Sequence, residues 1–329
     1  MMPLTHRIIL RSSEARFEVN PSKTVSRGTR ALERTGMYSP RVLDGFTSKR
    51  AGLSAAFEGV LKHLLFLVMV LISNVAWSET FDHSHATFSI VLENHVTWND
   101  AGTATTVDYK TLKANPANLT QYLTQLSSVQ KTTFDDWTKN QQLAYLINTY
   151  NAYTLKLIID HYPEDSIRDI GPFWKTPWEI KFIPLFSEKR SLDYVEHQRI
   201  REPGAYNEPR IHFAVNCASI GCPALRTEPF TADKLEQQLE DSTQRFLRDN
   251  TRNRYRDGEL QVSPIFKWYR EDFQKGWNGV NSLNEFFLRY AEALELSDAQ
   301  RQELKNDNMT YKFLDYDWSL NDNLKGAMN

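Results

Sequence analysis

The segment from about Lys139 to His161 reads as one long helix that is apolar on both sides, so both sides are expected to be at least partly buried. Leu143, Leu146, Ile147, Tyr150, Tyr153 and Leu157 line one side, and Ala144, Tyr145, Ala152, Leu155 and Ile159 line the other. Thr138 and Gln141 frame its start as a capping box, and Pro163 stops it. Two amides, Asn148 and Asn151, sit inside this apolar surface. An unpaired buried amide costs on the order of 1–3 kcal/mol, so both need partners: the backbone of a neighbouring loop, or a ligand.

The rest of the chain is read around that helix. Phe88, Leu92 and Val96 recur at helical spacing, Val107-Asp108-Tyr109 is extended, and residues 119–126 form a small amphipathic helix. Ser282 with Glu285 and Ser297 with Gln300 repeat the capping-box pattern, and Thr231 is expected to cap a helix bearing Leu235, Leu239, Ser242 and Phe246. Strand-like alternation marks residues 178–184, 210–216 and 259–262, and Ser191 opens a helix carrying Tyr194, Glu196 and His197. No repeat or long linker interrupts residues 79–329. The expectation is an α+β fold, a predominantly helical single domain with a small, mostly antiparallel sheet, and 41% hydrophobic content can supply its core.

Residues 1–59 differ. Their arginines are scattered among Ser, Thr and Gly without a helical period, which predicts a disordered extension. Lys62 and His63 then precede an apolar run from Leu64 to Ile72, followed by Ala76-Trp77-Ser78. The run is about a dozen residues, short of the roughly twenty that span a bilayer, so residues 60–78 read as a signal peptide cleaved after Ser78. A leader preceded by sixty or so unpatterned residues also suggests translation from Val60, and the rival reading is an uncleaved anchor. The expected product is secreted or periplasmic, and is not an integral membrane protein once the signal is cleaved. A formal net charge of -2 and a pI near 6.5 argue against a nucleic-acid surface.

The chemistry concentrates in residues 211–223, which hold both cysteines and His212. Three arrangements are open. Cys217 could be a nucleophile with His212 or His197 as base and Asn148, Asn151 or Glu196 orienting the imidazole. Cys217 and Cys222 could instead form a disulfide, as export and an even cysteine count favour, and then neither sulfur is a nucleophile. The third is a zinc site built from His197, His212, Cys217 and Cys222, although the spacing matches no standard zinc motif and no metal is assigned. On a regular strand His212 and Cys217 would face apart, so they meet only if the chain turns at residues 218–221. Glu196 and His197 are adjacent on a helix and cannot both face one cleft squarely; Glu196 is expected to pair with a nearby arginine such as Arg210 and His197 to pack inside. Tyr316 and Trp318 should dock the C-terminal segment, with Asp317 accepting hydrogen bonds. No phosphate-binding glycine motif is present and no cofactor is expected.

The ordered set Val107-Asp108-Tyr109, Ile147-Asn148-Thr149-Tyr150-Asn151-Ala152, Val195-Glu196-His197, Arg210-Ile211-His212-Phe213-Ala214, Cys217 with Cys222-Pro223, and Asp315 through Asn321 resembles the family known as domain of unknown function 547, over residues 81–321. Gln198-Arg199-Ile200-Arg201 departs from its usual, more apolar pattern after the Glu-His pair. The resemblance implies a domain rather than a reaction. Two functions follow from the residues: a cysteine-dependent hydrolase or acyl transferase, or a non-catalytic binding or scaffold module acting on an unknown ligand or protein partner.

Overall fold

A computed structural model describes residues 80–323, all of which fall in one compact unit. The expected extension and signal peptide lie outside the described residues. Helices α1 (Ala86–His95), α2 (Tyr109–Ala114), α3 (Ala117–Ser128) and α4 (Lys131–Asp135) precede α5 (Lys139–His161), with strands β1 (Val96–Trp98) and β2 (Thr105–Val107) between α1 and α2. Strands β3 (Ile183–Leu185) and β4 (Glu188–Arg190) follow, then α6 (Leu235–Arg248), β5 (Arg254–Arg256), β6 (Glu259–Val262), α7 (Ile265–Trp268), α8 (Leu283–Arg289), α9 (Asp298–Lys305) and β7 (Tyr311–Phe313). Among the described residues no helix is long and apolar enough to cross a membrane.

The fold is helical α+β, and α5 is its axis. Every residue from 142 to 155 is buried. The Thr138 hydroxyl accepts from the Gln141 amide at 3.3 Å while the Gln141 side chain accepts from the Thr138 amide at 3.0 Å, which completes the capping box. Ser297 and Gln300 do the same for α9. At α8 only half of the motif forms, because the Glu285 carboxylate turns to the Asn281 amide rather than to that of Ser282.

Two apolar clusters form the interior. The first surrounds α5 and includes Phe88, Tyr122, Phe134, Leu192 and Ile211; the second is a phenylalanine cluster of Phe213, Phe246, Phe266, Phe273, Phe286 and Phe287 beneath β6. Neighbouring rings such as Phe266 and Phe287 lie 4.8 Å apart in edge contact, the geometry their quadrupoles favour. The strands make three separate small sheets. β1 pairs with β2, β3 with β4 and β5 with β6, all antiparallel, while β7 adds parallel to β6 with Leu260 opposite Tyr311.

Several local expectations are corrected. Residues 210–216 are no strand: Pro209–Phe213 is a 3₁₀ helix whose first turn is capped by Glu208, and Ile211, His212 and Phe213 are all buried. Alternation there carried no information about faces, because no face meets water. Residues 178–184 begin as a 3₁₀ turn at Pro177–Glu179 and become β3 only at Ile183. Thr231 does not cap α6, which starts at Leu235; its amide binds the Gln238 side chain instead.

Candidate functional site

Tyr194–Ile200 is a π-helical segment, with the Arg201 amide reaching the Glu196 carbonyl five residues back at 2.9 Å. Adjacent side chains therefore diverge. Glu196 is buried, and Tyr150 and Tyr269 bring their phenols to its carboxyl; burial first and this carboxyl second hold both phenols well above their ordinary pKa. His197 is instead 40% exposed, its Nδ1 2.6 Å from Arg201 Nη1, so it does not pack inside. Nor does Glu196 pair with Arg210. That guanidinium binds Glu208 and Glu236 in two forked pairs at 2.7–2.8 Å and fastens the 3₁₀ helix to α6.

His212 sits on that 3₁₀ helix, stacked on Tyr269 with ring centroids 3.9 Å apart. Its Nε2 lies 2.8 Å from the Asp272 carboxylate, which also receives Arg201 and Lys275. Burial alone would raise the Asp272 pKa; hydrogen bonds from His212, Arg201 and Lys275 outweigh it and keep the group ionised. Burial lowers the His212 pKa, and the bond to Asp272 only partly opposes it. The imidazole is therefore neutral with its proton on Nε2. Nδ1 is left as a buried lone pair without a partner.

The chain then turns. Asn216 accepts from the Ala218 amide at 2.9 Å and Ala218 adopts a φ of 60°, which redirects the backbone so that His212 and Cys217 line one cleft. Cys217 and Cys222 are joined, with sulfurs 2.04 Å apart. The Tyr316 hydroxyl lies 3.2 Å from each sulfur, and Ser219 Oγ lies 3.0 Å from that of Cys217. Gly221 makes this approach feasible: a Cβ there would stand 3.0 Å from the Tyr316 ring and from the Asp317 carbonyl. The C-terminal segment docks as expected, with Asp317 accepting from the Ser319 amide and the Leu320 amide donating to the Asp165 carbonyl.

The cleft has a volume of about 210 Å³. Its floor is the disulfide, its polar wall is Glu196, Asp193, His197 and His212, and its aromatic wall includes Trp178, Trp268, Tyr269, Tyr316 and Trp318. The aromatic residues support one another, Trp268 and Trp318 at 5.9 Å and Tyr316 and Trp318 at 4.4 Å.

Asn148 and Asn151 lie behind the site. Asn148 exchanges two hydrogen bonds with the backbone of Phe230, at 2.7 and 3.0 Å, and Asn151 bridges the Ala214 carbonyl and the Asn216 amide at 2.9 and 2.8 Å. They hold the loops; the group that orients His212 is Asp272. With both sulfurs in one bond neither is a thiolate, so Cys217 is not a nucleophile in this state. Among the described residues no three His, Cys, Asp or Glu side chains converge as metal ligands, so the set His197, His212, Cys217 and Cys222 does not assemble around zinc. Asp272, Tyr269 and Trp268 escaped the sequence reading. They belong to no motif, and Asp272 lies 60 residues from its histidine.

Residues 134–247 match the family model described as "Protein of unknown function, DUF547". The matched stretch contains Asn148, Asn151, Glu196, His197, His212 and both cysteines, whereas Trp268, Tyr269, Asp272, Tyr316 and Trp318 follow it. No curated protein and no solved structure matches the chain.

Proposed function

Residues 134–247 match the DUF547 family model, and from that premise we propose that the chain is an exported ligand-binding module whose oxidised cysteine pair is structural. The observation that carries this reading is the unpartnered, buried Nδ1 of His212 on a ring that lines an open cleft. A buried acceptor left unpaired costs on the order of 1–3 kcal/mol, and a ligand that donates to it recovers that cost on binding. Export is supported by the apolar run at residues 64–72 and by a cysteine pair at bonding distance. Binding is tested by thermal-shift screening of small molecules against the oxidised protein and a His212→Phe variant. Ligands of the cleft stabilise the first and not the second; equal shifts for both count against the reading. For export, N-terminal sequencing of the processed chain is expected to begin at Glu79.

A second reading rests on the Asp272–His212 pair, which fixes a neutral imidazole beside Cys217 as a cysteine-dependent hydrolase or acyl transferase requires. It demands that a thiol reductant first open the bridge, leaving two thiols and oxidised reductant. Turnover that appears only after reduction and disappears in Cys217→Ser would establish it. A binding module keeps its ligand profile in that variant.

A further inference from the structure

We infer that the cleft between the π-helical segment and the aromatic wall takes a protonated primary amine, an inference that rests on the binding reading above. The lining contains no lysine and no arginine, and its acidic side chains are Asp193 and Glu196. An anionic ligand would meet two carboxyl groups with no cation to balance it. Two donors on the cleft wall are committed elsewhere: the Nε2 proton of His212 goes to Asp272, and the Thr176 hydroxyl donates to Glu179 at 2.9 Å. Its acceptors include Nδ1 of His212, which has no partner, and the Glu196 carboxyl, which receives Tyr150 and Tyr269 and keeps further lone pairs. A ligand that satisfies them must bring N–H or O–H donors.

The aromatic wall selects charge among such donors. Faces of Trp and Tyr attract cations through their quadrupoles, more strongly where water is displaced. Two rings of this wall already do so: the Arg168 guanidinium lies 5.2 Å from the Trp318 centroid and that of Arg201 lies 4.9 Å from the Tyr269 centroid. Both guanidiniums stand outside the cleft lining, and Arg201 is bound to Asp272. An ammonium group has three N–H donors and a compact charge, and so can meet Glu196, Nδ1 and a ring face together. A quaternary ammonium has no N–H, and a neutral alcohol has no charge. Neither uses the whole site.

The test titrates the oxidised protein with n-butylammonium, 1-butanol and butyrate, three probes of similar length, read by the indole N–H signals of Trp178, Trp268 and Trp318. Butylammonium is expected to bind roughly tenfold or more tighter than butanol, the order of a hydrogen bond to a charged group, and butyrate should leave the signals unmoved. Glu196→Gln should erase most of that preference, and the more exposed Asp193→Asn, which spares the buried phenol cluster, should reduce it while butanol affinity stays constant. Butanol or butyrate binding as tightly as butylammonium overturns the amine assignment and leaves the cleft reading standing. Silence from all three probes overturns both. Comparing 1,5-diaminopentane with Nα-acetyl-lysine methylamide then separates a free diamine from a lysine side chain, and binding of either supports the inference.

Discussion

Asn151 on α5 and His212 on the 3₁₀ helix are buried to the same degree, 2% and 3% exposed, yet their polar atoms end differently. Asn151 spends its oxygen and its nitrogen on the backbone of Asn216 and Ala214, and Asn148 does the same with Phe230. Every polar heavy atom of the two amides has a backbone partner. His212 has one nitrogen bound to Asp272 and one unpaired, on a ring that borders an open cleft. A closed polar node specifies a fold; an open one at a cavity specifies a site. The cavity is essential to the distinction. Nε2 of His85 is also unpaired, but His85 packs against Phe81 and Tyr122 and does not line this cleft.

Asn151→Ala should show the largest effect, because it strands the Ala214 carbonyl and the Asn216 amide in the interior: about 2–5 kcal/mol of stability in urea unfolding. A loss under about 1 kcal/mol would break the comparison, since the closed node would then contribute no more than an ordinary surface residue. His85 supplies the next. Burial pushes its pKa down to about 3, below the ordinary 6.5, so the unfolded chain binds the proton first. Its contribution is complete above pH 6.5 and is lost as pH falls through 3. Between pH 6.5 and 4.5 the loss is about 2–3 kcal/mol, a slope that His85→Asn should flatten in pH-dependent unfolding.

Joint replacement of Cys217 and Cys222 by serine should cost about 2 kcal/mol in thermal unfolding, the chain-entropy value for so short a loop. His212→Phe should change stability by only about 1 kcal/mol or less, because the ring still stacks on Tyr269 and Asp272 keeps Arg201 and Lys275, while cleft binding disappears. A drop as large as that of Asn151→Ala would make the open node structural. Lys156→Ala removes the exposed pair with Asp160 on α5 and should cost about 0.5 kcal/mol or less by the same measurement.

The parts of the fold governed by neighbours in sequence were legible. The Thr138–Gln141 box, the buried face of α5 and β6 at Glu259–Val262 follow from contacts a few residues apart. One misreading arose where burial is complete on every side. Around Ile211 and Phe213 alternation suggests a strand, and Pro209 with the Glu208 cap produces a 3₁₀ helix. At Glu196 and His197 the residue types were informative but the helix type was not: on the π-helical segment both line the cleft, Glu196 buried and His197 exposed, which corrects the expectation that only one could face it.

Sequence by itself determined that the chain builds a helical α+β domain on one buried helix, that Asn148 and Asn151 need partners, and that His212 and both cysteines fall in one short stretch. Those conclusions rest on period, capping and composition, which act locally. Only the tertiary structure decided that Asp272 holds His212, that Tyr316 covers the disulfide and that aromatic residues from three separate segments wall the cleft. Such partners are chosen by the packing of two cores against each other, and the pattern of neighbouring residues carries no signal for which distant side chain arrives.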